Sequence, residues 1–198
     1  RALEDLGGET VTIMRGGLLD VAHVEDRLGR EQVELLEGAF LLRAALDEAG
    51  LDGTYTSLGS YDDNEMMALV SAAGRALGLS DDEVLRWFGH LAIPRMVERW
   101  PDYFAAHNQT VPFLRSINSV IHPEVRKLYA GAYCPHFDFT SPPDGSLLIG
   151  YRSPRRLCGL AHGFILGVGD HYGEALTVRH LECMHDGAPG CLVAVAAA

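Results

Sequence analysis

The sequence predicts an α+β fold. Two observations predict it. Apolar residues recur at helical spacing as far as residue 121. After that, strand-like runs at Ser146–Ser153, Leu176–Glu182 and Cys191–Val195 are divided by turn residues such as Asp144-Gly145 and Asp186-Gly-Ala-Pro-Gly190. A chain of 198 residues fits one domain, and 47% hydrophobic content is ample for a core.

Residues 1–13 carry no clear signal. The stretch from Met14 to Gly50 is predicted helical. Leu18, Leu19, Val21, Val24 and Leu28 form one apolar series, and Val33, Leu35, Leu36, Phe40, Leu41 and Leu46 another, with Gly50 as the stop. Asp62, Asp63 and Asn64 offer an N-cap for a helix bearing Met66, Met67, Leu69 and Val70. Ser80-Asp-Asp-Glu83 has the form of a capping box. Val84, Leu85, Trp87 and Phe88 follow it, and Ala92, Ile93, Met96 and Val97 continue the apolar face. Phe113, Leu114, Ile117, Val120 and Ile121 mark a further buried helix face that ends at His122. Pro123 is expected to push residue 122 out of ideal helix geometry. Gly131 to Pro143 is expected to be loop. A strand over Ser146–Ser153 follows, then a helix over Leu157–Val168, then an antiparallel pair.

Net charge is −11, which argues against a nucleic-acid surface. No run of about 18 apolar residues predicts a membrane span, and no signal peptide opens the chain. A cytoplasmic location is therefore expected.

Two groups of residues carry chemistry. His122 sits at the edge of an apolar helix face, where a neutral imidazole is a potential metal ligand. Downstream, Tyr151-x-Ser153-x-Arg155 would share one face of a strand. A phenol, a hydroxyl and a forked guanidinium together suit a pair of carboxylates.

His122, then Pro135, then Tyr151-x-Ser153-x-Arg155 resembles the haem nitric oxide/oxygen binding (H-NOX) domain family, related to the haem domain of soluble guanylate cyclase. Gly53-Thr-Tyr-Thr-Ser-Leu-Gly-Ser-Tyr61, Leu85-Arg-Trp-Phe-Gly89 and Trp100-Pro-Asp-Tyr-Phe104 agree with it, and the resemblance covers roughly residues 40–198. It implies a haem b cofactor buried between an N-terminal helical distal subdomain, about 14–78, and a proximal subdomain of helix and antiparallel sheet, about 79–198. It also implies His122 as axial iron ligand, Tyr151, Ser153 and Arg155 at the propionates, and Pro135 against the porphyrin. In oxygen-binding relatives a Tyr stands where this chain has Leu160. With Ala92 and Met96 also apolar, the pocket is expected to bind nitric oxide and carbon monoxide and to exclude oxygen. Weakening of the iron–His122 bond is the expected trigger. The implied role is a non-enzymatic sensor whose partner is a histidine kinase, a cyclic-di-nucleotide enzyme or a chemotaxis protein.

All four cysteines lie after residue 130. His180-x-x-Cys183 and Cys191 flank the last turn, and Cys158 can supply a fourth ligand. A Cys₃His set fits structural zinc because it leaves no open position. Some bacterial H-NOX proteins look similar here. Free buried thiols or a Cys183–Cys191 disulfide are the other outcomes. Cys134 is expected to be a small core residue near the haem, and His136 and His185 surface residues. Competing functions are a zinc-dependent hydrolase and a zinc-containing regulatory module without haem.

Overall fold

Capping chemistry sets the helices in place. The computed structural model describes residues 41–56, 59–129 and 131–198, so the expectation for residues 14–40 lies outside the described residues. Helix α1 covers residues 41–49 and stops at Gly50, whose φ of +71° suits a left-handed cap. Helix α2, Asp63–Leu77, begins where the Asp62 carboxylate accepts the Asn64 N–H at 2.7 Å. Helix α3, Asp81–Arg99, carries the expected capping box. Ser80 Oγ accepts the Glu83 N–H at 3.3 Å, and the Ser80 N–H reaches Glu83 Oε2 at 2.8 Å. Short helices α4, Pro101–Ala105, and α5, Thr110–Ser116, lead into a π-helical turn, Ile117–Ile121, and then helix α6, His122–Leu128.

Four strands form one antiparallel sheet in the order β1-β2-β4-β3. They are β1, His136–Thr140; β2, Leu147–Arg152; β3, Leu176–Glu182; and β4, Cys191–Ala197. Strand β1 falls inside the stretch expected to be loop. Prolines at 135, 142 and 143 fence it, but between them Phe137 and Phe139 alternate with polar residues and complete a hairpin with β2. Its turn needs Gly145 at φ +83°, with Asp144 accepting the Ser146 N–H at 2.9 Å. Helix α7, Cys158–His171, lies between the two hairpin halves in sequence.

Alternation places Leu147, Ile149 and Tyr151 of β2 and Cys191, Val193 and Val195 of β4 in the core. Ile93 of α3, Phe104, Phe113 and Leu114, and Ile165 and Val168 of α7 complete it. Not every expected core residue is inside. Trp87 and Phe88 are 51% and 57% exposed, and Val120 is exposed too. On α3 only part of the apolar stripe meets α7.

The α3–α7 crossing is close because it is lined with glycine. A Cβ at Gly163 would fall 2.1 Å from the Arg86 carbonyl oxygen, and one at Gly89 would fall 2.5 Å from that of Leu160. Gly159 and Gly167 extend the row on α7. Two backbones in such contact leave no room for side chains between them.

Candidate functional site

The imidazole of His122 is presented by a widened helical turn. The His122 backbone N–H donates to the Ile117 carbonyl, one residue farther back than in an α-helix. His122 itself has φ −63° and ψ −37° and is helical, contrary to the expectation that Pro123 would displace it. Pro123 has no N–H to donate and its ring crowds the carbonyl four residues back. The π-turn immediately before it absorbs that conflict instead.

Asn118, within the same turn, fastens this segment to the sheet. Its Nδ2 donates to the Phe137 carbonyl at 2.6 Å, and its Oδ1 accepts the Phe137 N–H at 3.3 Å. The Phe137 ring then lies under His122, with centroids 5.8 Å apart and planes 25° off parallel. Burial, helped by Arg126 and His136, lowers the His122 pKa to about 4. The ring is thus neutral near pH 7, the form in which imidazole ligates a metal. Cys134 is half-buried, with its thiol 3.9 Å from the His122 carbonyl oxygen. Pro135, also half-buried, leads directly into β1.

Phe137 connects this histidine to the downstream triplet. It faces Tyr151 across the β1–β2 ladder, with ring centroids 5.7 Å apart. Tyr151 and Ser153 are 4% and 3% exposed and alternate as expected. The Tyr151 hydroxyl oxygen accepts the Leu157 N–H at 3.0 Å, and Ser153 Oγ accepts the Arg155 N–H at 3.2 Å. Both hydroxyl oxygens accept from backbone N–H groups, and the Tyr151 and Ser153 hydroxyls also hydrogen-bond to each other.

Arg155 does not share the strand face. Strand β2 ends at Arg152, Pro154 can donate nothing to the ladder, and Arg155 lies in the turn beyond. Its guanidinium forks onto Asp63 at the start of α2, with Nε at 2.9 Å and Nη2 at 2.5 Å from the two carboxylate oxygens. Carboxylate recognition by Arg155 is thus present, on a protein partner.

Leu160 on α7 and Ala92 and Met96 on α3 are half-buried. Tyr172, the hydroxyl that could have replaced a distal donor, gives its proton to the Phe104 carbonyl at 2.8 Å. His136 is exposed and pairs with Asp138, and exposed His185 bonds the Arg156 carbonyl.

A second constellation is tighter. The ligand atoms of Cys158, His180, Cys183 and Cys191 all lie within 4.8 Å of one another. Cys183 Sγ is 3.7 Å from that of Cys158 and 3.8 Å from that of Cys191. Sulfurs about 2.3 Å from a tetrahedral ion would stand roughly 3.8 Å apart. All four cysteines are free thiols in this structure. A bulge between His180 and Glu182 turns His180 and Cys183 to one side, which a regular strand would not do for residues three apart. Cys191 comes from β4, and Cys158 from the start of α7. The Met184 N–H donates to Cys191 Sγ at 3.2 Å. Burial and the neighbouring sulfurs push the Cys158 thiol upward. A cation at the centre would reverse that. His180 Nε2 is buried and has no partner among the described residues.

Three contributors escape sequence reasoning: Asn118, Phe137 and Asp63. Phe137 sits in a visible alternation with Phe139. Asp63 is 92 residues from Arg155, and nothing local links them.

The model of the haem-NO-binding family matches residues 29–180. The chain belongs to the haem-NO-binding family. Solved H-NOX structures share its fold. An H-NOX protein from S. oneidensis in the Fe(II)NO ligation state is 27% identical, covering 90% of this chain and 97% of that one, with a TM-score of 0.76. The SO2144 H-NOX domain from Shewanella oneidensis in the Fe(II)CO state is 25% identical over 89% and 93% of the two chains, with a TM-score of 0.71. An unliganded Fe(II) H-NOX protein from K. algicida, 23% identical over 90% and 92%, shows the fold alone at a TM-score of 0.72. No curated protein matches the chain. Among the described residues no helix is long and apolar enough to cross a membrane.

Proposed function

We propose that this chain is a haem-based gas-sensing module that binds nitric oxide and carbon monoxide, excludes oxygen and signals to a partner protein. The observation that carries the reading is His122. It is a neutral, half-buried imidazole, set by a π-turn and the Phe137 ring, with no hydrogen-bond partner among the described residues. In a haem-NO-binding chain that is the residue suited to hold the iron. Bound haem would supply an open coordination position for a diatomic gas. The paired hydroxyls of Tyr151 and Ser153 suit the propionates, and Arg155 joins them when its fork turns from Asp63. Pro135, adjoining this cluster in sequence, is the matching porphyrin contact.

Oxygen exclusion follows from what the pocket residues lack. Stable oxygen binding calls for a distal donor. Leu160, Ala92 and Met96 offer none, and the Tyr172 hydroxyl is committed elsewhere. The chain is read as a binding module rather than an enzyme, and a histidine kinase, a cyclic-di-nucleotide enzyme or a chemotaxis protein is the class of partner proposed. Cys158, His180, Cys183 and Cys191 are proposed to hold a structural zinc ion.

The test is an absorption spectrum of the reduced protein, first without gas, then in air, then with nitric oxide. A Soret band that shifts with nitric oxide but not with air is expected. A stable oxy spectrum overturns the exclusion of oxygen, and a colourless protein that cannot be loaded with haem overturns the sensor.

A further inference from the structure

Among the described residues, four buried side-chain nitrogen or oxygen atoms lack a hydrogen-bond partner, and three of them belong to Arg86, His162 and His180. One ring nitrogen of His180 lies within 4.8 Å of the three sulfurs described above. The other two, Arg86 Nε and His162 Nδ1, belong to no site yet described.

His162 is 8% exposed. Its ring lies over that of His180 with centroids 5.3 Å apart and planes 21° off parallel. It is also one helical turn after Cys158 on α7, on the same face. Arg86 comes from α3, where it pairs with Asp82 at 2.7 Å. The glycines of α7 admit both. A Cβ at Gly159 would strike the Asp82 carboxylate, and one at Gly163 the Arg86 carbonyl. A ligating histidine is ordinarily oriented by a hydrogen bond to its second ring nitrogen. No side-chain hydrogen bond to the His180 ring exists among the described residues, so the flat face of His162 is what fixes its plane.

We propose that His162 is a positioning residue of the Cys158/His180/Cys183/Cys191 metal centre, holding the His180 imidazole aimed at the ion by stacking on it. The inference rests on the reading of that cluster as a zinc site. It makes α7 contribute twice, once through the Cys158 thiolate and once through the wall behind His180. Arg86 and Asp82 stand beside that wall as a half-exposed charged pair from α3.

The experiment compares the full-length, zinc-loaded wild-type protein with His162→Ala and His162→Phe. Zinc affinity is read by competition with a chelator, and the zinc–nitrogen shell by zinc K-edge absorption. Loss of about 10–100-fold in affinity is expected for His162→Ala, with a broadened zinc–nitrogen shell. His162→Phe keeps the stack and should restore both. Wild-type affinity in His162→Ala overturns the proposal. So does a loss shared by both variants with an unchanged zinc–nitrogen shell, since that is the mark of a merely structural residue. Wild-type protein that binds no zinc overturns the metal reading itself, a result distinct from either.

Discussion

The cysteine cluster and the His122 region are built on opposite principles. In the first, four donor atoms from β3, β4 and α7 converge within 4.8 Å. In the second, His122, Phe137 and Tyr151 form a chain of aromatic contacts across two strands, and Arg155 turns aside to Asp63. A small ion demands a point, and backbone features alone can make one: a bulge, a turn and a helix start. A large planar cofactor demands a perimeter, whose members meet the ligand and not each other. The difference teaches that convergence is a fair test for an ion site and a poor one for a haem site. There the informative sign is a half-buried imidazole held neutral.

The largest effect should come from separating the two regions. His122→Ala is expected to abolish retention of haem, read as loss of the Soret band, while zinc stays at one per chain by metal analysis. Cys191→Ser should do the reverse, removing zinc and leaving the haem spectrum in place. If either variant loses both, the regions are one cooperative site and the contrast collapses.

An intermediate effect is expected at the α3–α7 helix crossing. Gly163→Ala places a methyl 2.1 Å from the Arg86 carbonyl oxygen, so α3 and α7 must move apart. Overpacking of this kind costs about 1–3 kcal/mol, a fall in Tm of several degrees by thermal unfolding. An unchanged Tm would show that the crossing is looser than the contact implies.

The smallest effect belongs to Asp63→Asn. The Asp63–Arg155 pair is substantially exposed, and such pairs contribute at most about 1 kcal/mol. Stability should scarcely change, and haem retention against a competing apoprotein should be equal or better once the guanidinium is free. Weaker retention would mean that Asp63 braces Arg155 for its task rather than competing for it.

Local chemistry made much of the fold legible. Ser80 and Glu83 announced α3, Gly50 ended α1, and the alternation of Leu176–Glu182 marked β3 to the residue. The grouping of His180, Cys183 and Cys191 was legible for the same reason, since their spacing follows from a turn between adjacent strands. What was hidden depends on distant pairing. Strand β1 was masked by its flanking prolines, and the β2–β4 ladder joins residues 40 to 48 apart in sequence. Arg155 left the expected face because Pro154 ended the strand. Trp87 and Phe88 show the limit of periodicity, which identifies a stripe but not how much of it a partner covers.

The π-turn at Ile117–Ile121 has one further consequence. Such a turn is one residue longer than an α-turn, so it behaves as a single-residue insertion that proper α-geometry would not miss. Deleting one residue there would restore plain α-geometry and return the Pro123 ring to its clash with the carbonyl four residues back, which the wider turn now relieves. A length change of one amino acid would thereby disturb the seat of the imidazole.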